Sequence, residues 1–202
     1  MYKQLSTIAI KDGHVFRDYD CDQWHNIIME SQSNLTWRPT SKTDLINILQ
    51  NCPKCFHSTY DGELIIPLNE ILSLPKKKLK KHKITNIIIN FNSHWCLAGI
   101  FWRQHSLVLC DPLNTFSTNA NAMTYINQFS QKHNLKLFFF SATFQLLTSS
   151  NCGQLCLALM AVLNTKGSLI SFCKFRKRLL KHSIRSNETY LLQLLKNHFK
   201  LY

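Results

Sequence analysis

Four positions carry residue types that together could break a peptide bond: His94, Asp111, Gln145 and Cys152. Thiol catalysis needs a nucleophile, a base to take its proton, a group to orient that base, and donors for the oxyanion. Cys152-Gly153 opens an almost wholly apolar run that continues to Leu163, and Thr148-Ser149-Ser150-Asn151 precedes it with candidate helix caps. A thiol at the start of a buried helix feels the positive end of the helix dipole, which favours thiolate over thiol. Gly153 lets a backbone or a substrate come close. Each signal alone has an ordinary reading: a cysteine is a small buried hydrophobe, a histidine before a tryptophan is structural, and an Asp-Pro pair is a turn. In the order His94-Trp95, Asp111-Pro112, Gln145, Cys152-Gly153 they become specific.

The elements that must position these residues are readable nearby. Residues 85–91, 95–102 and 106–110 are apolar segments separated by short polar turns, and their β-branched and aromatic content predicts strands buried on both faces. If the last two pair as a hairpin, the start of one lies beside the end of the other, and His94 and Asp111 become neighbours at one end of a sheet. Residues 119–133 read as a helix with Met123, Ile126, Asn127 and Phe129 along one side, and 135–140 as a further strand. The run from Cys152 has no polar face and belongs in a core. A basic helix over 169–182 and an amphipathic one over 188–199 follow. The predicted fold is α+β: a mixed, mostly antiparallel central sheet packed against a buried helix that carries the nucleophilic cysteine at its N-terminus, with flanking helices.

The N-terminal part is harder to read. Residues 22–32 suggest a short helix with Trp24, Ile27 and Ile28 inward, and 41–50 a helix capped by Ser41 or Thr43. Cys52 and Cys55 form a CxxC, half of a zinc site, but no second pair completes it, so no metal is assigned and buried thiols are the favoured reading. Residues 56–66 are a loop into a short strand.

Composition sets the outer bounds. The chain has 202 residues, 45% hydrophobic and 17% charged, which fits one globular domain. The longest apolar run is eight residues, far short of a membrane span. Without a secretory signal the eight cysteines read as reduced intracellular thiols, not a disulfide framework. Residues 1–70 carry six Lys/Arg against nine acids, whereas residues 71–202 carry eighteen against two, Asp111 and Glu188. Lys76, Lys77, Lys78, Lys80, Lys81 and Lys83 form one basic stretch; Lys174, Arg176, Lys177, Arg178, Lys181 and Arg185 form another. Such asymmetry predicts sequence-independent contact with the phosphates of nucleic acid, against the plainer reading of solvated faces or a nuclear localisation signal.

The chain resembles the adenovirus-type (adenain-like) cysteine proteases. The resemblance rests on His94-Trp95, Phe101-Trp102 and Asp111-Pro112, with seventeen residues from base to acid, and on Gln145, Asn151-Cys152-Gly153 and Cys156, with seven residues from Gln to Cys. Residues 44–61, with Cys52, Phe56 and Thr59-Tyr60-Asp61, are similar to that family's N-terminal helix and loop, and 187–199 more loosely to a late helix. It covers residues 42–202 of a single protease domain and leaves 1–40 as an unmatched extension. It implies Cys152 as nucleophile, His94 as base, Asp111 orienting His94 where many members have Glu, Gln145 in the oxyanion hole, and Trp95 packed beside the histidine and covering the site. It further implies a viral endopeptidase of virion and host nucleus, a monomer that matures capsid and core precursor proteins. The chemistry needs no cofactor, but viral DNA and a short viral peptide are implied activators. The region before Gln145 where a cofactor-linking cysteine would fall holds Asn134 and its neighbours, so a disulfide tether does not carry over.

Two other readings compete. The SUMO- and ubiquitin-like-specific proteases of the same clan share this catalytic order, so a deubiquitinase- or deSUMOylase-like isopeptidase is the second reading. The third is a basic DNA-binding core protein on a decayed protease fold; the four filled catalytic positions oppose it.

Overall fold

The computed structural model describes residues 8–9, 15–16, 41–43, 45–46, 64–79 and 83–199. The readings made above for residues 22–32 and for Cys52 and Cys55 lie outside them.

A five-stranded sheet forms the middle layer, with strands in the order β1 (Ile65–Pro67), β2 (Ile84–Phe91), β3 (His94–Phe101), β4 (Ser106–Cys110) and β5 (Lys136–Phe139). The inner three strands pair antiparallel, and β1 and β5 add parallel strands at the two edges. Asn92 and Ser93 both take positive φ, 48° and 61°, which makes the β2–β3 connection a two-residue turn matched to strand twist. Ile8–Ala9 also pairs antiparallel with Val15–Phe16.

Both faces of the sheet are covered, which is why its strands read as continuous apolar runs instead of alternating ones. Alternate residues feed two cores. Ile84, Ile88, Trp95, Leu97, Phe101, Val108 and Cys110 join one cluster with α2 (Cys152–Lys166), α3 (Leu169–Leu179) and α4 (Ile184–Phe199). Ile87, Ile89, Cys96, Ala98, Ile100, Leu107 and Leu109 join the other, with α1 (Ala120–His133) and the 3₁₀ segment Leu68–Ser73.

The helices begin and end where short-range chemistry allows. Asn119 caps α1 by accepting from the Ala122 N–H at 2.9 Å, and Asn134 ends it with φ 53°. Ser168 caps α3, and Gly167 ends α2 with φ 62°. Eleven of the fifteen residues of α2 are buried, among them every residue from Leu155 to Leu163, as its lack of a polar face predicts.

Three local expectations are corrected. Asn127 is exposed, and the buried side of α1 is Ala122, Ile126, Phe129, Ser130 and His133. The lysine-rich stretch, expected as a loop, contains one helical turn, Lys76–Leu79, because Leu79 is fully buried and lysine is a good helix former. The last helix starts at Ile184, four residues before the expected Glu188, because Asn187, Glu188 and Thr189 are buried in its opening turns by hydrogen bonding as well as packing.

Candidate active site

His94 is the first residue of β3, and Asp111 directly follows β4. The antiparallel register, Phe101 opposite Ser106 and Leu97 opposite Cys110, brings them to the same end of the sheet. There His94 Nε2 donates to Asp111 Oδ1 at 2.6 Å. The hairpin argued from sequence therefore makes the pair it predicted.

Asp111 is held by the turn it opens. Its Oδ1 also accepts from the Leu113 N–H at 2.9 Å, and its Oδ2 from the N–H groups of Thr115 at 2.5 Å and Phe116 at 2.6 Å, with the Thr115 hydroxyl at 3.2 Å. Burial raises the pKa of this carboxyl, but the His94 and backbone hydrogen bonds outweigh it and leave the net shift downward. Asp111 is an anion whose direction is fixed by the chain around it.

Cys152 begins α2 and is buried, and hydrogen bonding from His94 and from the N–H groups of Trp95 and Gly153 favours its thiolate. Burial again opposes ionisation, and these donors with the imidazolium charge reverse it, so the Cys152 pKa falls below its ordinary value. His94 is raised to about 9: burial alone would lower it, but the Asp111 and Cys152 hydrogen bonds and their charges win. With Nε2 committed to Asp111, Nδ1 is the nitrogen left for Cys152. The side-chain cap expected at the start of α2 is absent: Asn151 sits at the N-cap position but makes no capping bond, and its Nδ2 donates to Glu188 instead, at 3.1 Å. The unfilled N-terminal turn leaves the helix's first N–H groups available to an anion.

Gln145 is buried in the loop that leads to Cys152. Its backbone N–H donates to the Pro112 carbonyl at 3.2 Å, beside that of Phe144 at 3.0 Å, which ties this loop to the Asp111 turn. Its Nε2 donates to the Ser149 carbonyl at 2.9 Å, leaving one amide hydrogen to offer. Trp95 is buried in the core cluster that contains Cys152, and it serves the thiol through its backbone. Its carbonyl accepts from Cys156 Sγ at 3.3 Å, so the second cysteine of α2 is a core residue, as expected.

Sequence reasoning missed two contributors. Glu188 on α4 reaches the loop before Cys152: it accepts from the Leu146 N–H at 2.9 Å, from the Ser149 hydroxyl and from Asn151. Its signal was its isolation, as one of two acids after residue 70. Cys96 is the other; its thiol and the ligand atoms of His94 and Asp111 all lie within 4.8 Å of one another. Burial pushes the Cys96 thiol well up, so it stays protonated beside the ion pair.

Of the basic residues, Lys76, Lys77, Lys83, Lys174, Lys177, Lys181 and Arg185 are exposed. Arg176 is half-buried and donates to the Ser141 carbonyl at 2.8 Å, so it is engaged within the fold. Arg178 is also half-buried, Lys78 is described by its backbone alone, and Lys80 and Lys81 lie outside the described residues. No described helix is long and apolar enough to cross a membrane.

No family model matches the chain, and no curated protein matches it. Solved structures do. SUMO protease Ulp1, with its catalytic cysteine oxidised to a sulfenic acid, is similar at 14% identity and a TM-score of 0.42, over 88% of this chain and 94% of that one. A de-sumoylating protease is similar at 13% identity and a TM-score of 0.44, over 98% and 93%. The Chlamydia trachomatis effector protein Cdu1, bound to ubiquitin, is similar at 12% identity and a TM-score of 0.40, over 88% and 91%. These likenesses are distant, and the chemistry of the site stands on its own geometry.

Proposed function

We propose that this protein is a cysteine endopeptidase that cleaves protein substrates by acyl transfer at Cys152. The observation that carries the reading is the unbroken line from Asp111 through His94 to the Cys152 thiol at a helix N-terminus. The Cys152 thiolate attacks the peptide carbonyl, forming a C–S bond and an oxyanion. The free amide hydrogen of Gln145 and the backbone N–H of Cys152 stabilise that oxyanion. Protonated His94 gives its proton to the leaving amine as the C–N bond breaks. Neutral His94 then takes a proton from water, the hydroxide adds to the thioester, and loss of sulfur restores the thiolate and the imidazolium.

The finer reading follows the resemblance to adenovirus-type proteases: a viral enzyme that matures virion precursors and is stimulated by DNA. A charge observation supports the DNA part. The two acids after residue 70, Asp111 and Glu188, are both buried in internal hydrogen bonds, so that part of the chain exposes no acidic side chain. A deconjugating isopeptidase is the competing outcome, and the test separates the two. Short Gly-containing peptides and Gly-Gly isopeptide conjugates are offered in parallel, with and without duplex DNA. Cleavage of the peptides, faster with DNA and lowered about 10⁴-fold or more by Cys152→Ala, is expected. A strong preference for the conjugates moves the activity to deconjugation; undiminished cleavage by Cys152→Ala removes the assignment altogether.

A further inference from the structure

Gln145 has a donor to offer the oxyanion, but little in its own surroundings aims it. Its Oε1 is buried and, among the described residues, without a hydrogen-bond partner. Among the described residues the amide's one partner is the Ser149 carbonyl. That carbonyl also settles which end of the amide is nitrogen, since an acceptor must face a donor. The direction of Gln145 therefore depends on where Ser149 stands.

Ser149 belongs to a loop without regular structure between Phe144 and Cys152, and its hydroxyl donates to Glu188 Oε1. The same oxygen accepts from Asn151 Nδ2 at 3.1 Å, and Oε2 accepts from the Leu146 N–H at 2.9 Å. Glu188 is only 4% exposed. Its carboxylate thus gathers three neutral donors spread across six residues of one loop. A buried carboxylate is costly unless its lone pairs are filled, so donors and acid hold one another in place. A glutamine at this position would turn an N–H toward a donor and leave both unsatisfied.

We propose that Glu188 is the positioning residue of the oxyanion donor: its carboxylate, acting through Ser149, sets the amide of Gln145. The inference rests on the peptidase reading and adds to it a residue from α4, forty-three positions beyond the amide it governs. The chain of contacts runs from Glu188 to the Ser149 hydroxyl, through the Ser149 backbone, to Gln145 Nε2. Among the described residues it shares no hydrogen bond with the Asp111–His94–Cys152 line, so oxyanion support and thiol activation are separable.

The test compares wild type, Glu188→Gln and Ser149→Ala in peptide hydrolysis and in alkylation of Cys152 by iodoacetamide, which forms no oxyanion. Each variant is expected to lose about 10- to 100-fold in kcat, because a misplaced donor costs nearly as much as a missing one. KM stays within about threefold, the pattern of a contact made in the transition state. Alkylation rate and its pH profile stay at the wild-type values. In a Gln145→Ala background each substitution costs less than about twofold more, since both act through that side chain. Ser149→Ala removes one hydroxyl and leaves the other two donors, so it carries the test if Glu188→Gln does not fold. Unchanged kcat, alkylation falling together with kcat, or losses that multiply on Gln145→Ala would each overturn the inference while leaving the peptidase reading intact. A wild type that hydrolyses no peptide or isopeptide overturns both.

Discussion

At the scale of single residues, burial opposes the charges of both Cys152 and His94, and it is overruled by donors around the thiolate and by acceptors and negative charge around the imidazolium. The Cys152 pKa is lowered and that of His94 is raised to about 9. A raised histidine is charged below its pKa and neutral above it, and a lowered thiol is ionised above its own. The thiolate–imidazolium pair therefore occupies the window between the two, and both limbs belong to the coupled pair. Cleavage is expected to rise at a pH below the usual thiol range and to fall again near pH 9, as read from the pH dependence of kcat/KM. Asp111→Asn removes a charge that favours imidazolium, so the alkaline limb moves to lower pH. It also costs less activity than Cys152→Ala, because the His94 orientation it supplies is partly replaceable. An alkaline limb that stays in place, or a loss as large as that of Cys152→Ala, would contradict this role. His94, Asp111, Gln145 and Cys152 were legible because their chemistry resides in side-chain type and spacing. The Trp95 N–H was not, since any residue there would present one, and Glu188 was not, since its three partners come from a loop without periodicity.

At the scale of elements, the site depends on α2 lying close against β3. Gly99 on β3 makes that approach possible: a Cβ there would stand 2.7 Å from Leu163 Cδ1 of α2. Asn86 of β2 and Asn164 of α2 clamp the same end, with Nδ2 donating to Oδ1 at 2.8 Å. Gly99→Val is expected to destabilise the fold by about 1–3 kcal/mol through overpacking, and Leu163→Ala by about 2–5 kcal/mol through a cavity. Denaturant unfolding checks both, and a Gly99→Val variant as stable as wild type would show that the contact yields freely. The strands over 84–91, 94–101 and 106–110 were legible to within a residue because burial on both faces leaves an uninterrupted apolar run. The parallel edge pairings were not, because register across a crossover is fixed by the packing of α1 and the 3₁₀ segment. Nor was the early start of α4, whose opening turns bury Asn187, Glu188 and Thr189 against the usual rule for polar residues.

At the scale of the whole molecule, charge and cysteine content are the two properties to test. With a net charge of +13 and no exposed acidic side chain after residue 70, retention on duplex DNA at about 50 mM salt and steep release by about 200 mM are expected. Lys177→Glu with Lys181→Glu should weaken retention on every sequence alike; failure to bind at the lower salt would remove the DNA proposal. Among the eight cysteines, Cys96, Cys110 and Cys156 are pushed well above the ordinary thiol range by burial, whereas Cys173 is exposed. The most direct measurement is therefore iodoacetamide labelling of the intact protein at about pH 6, well below the ordinary thiol pKa, with each modified residue mapped by mass. Cys152 should be modified first, and His94→Ala should abolish that preference. Modification led by Cys173, or a Cys152 rate indifferent to His94, would contradict the assignment of Cys152 as an activated nucleophile.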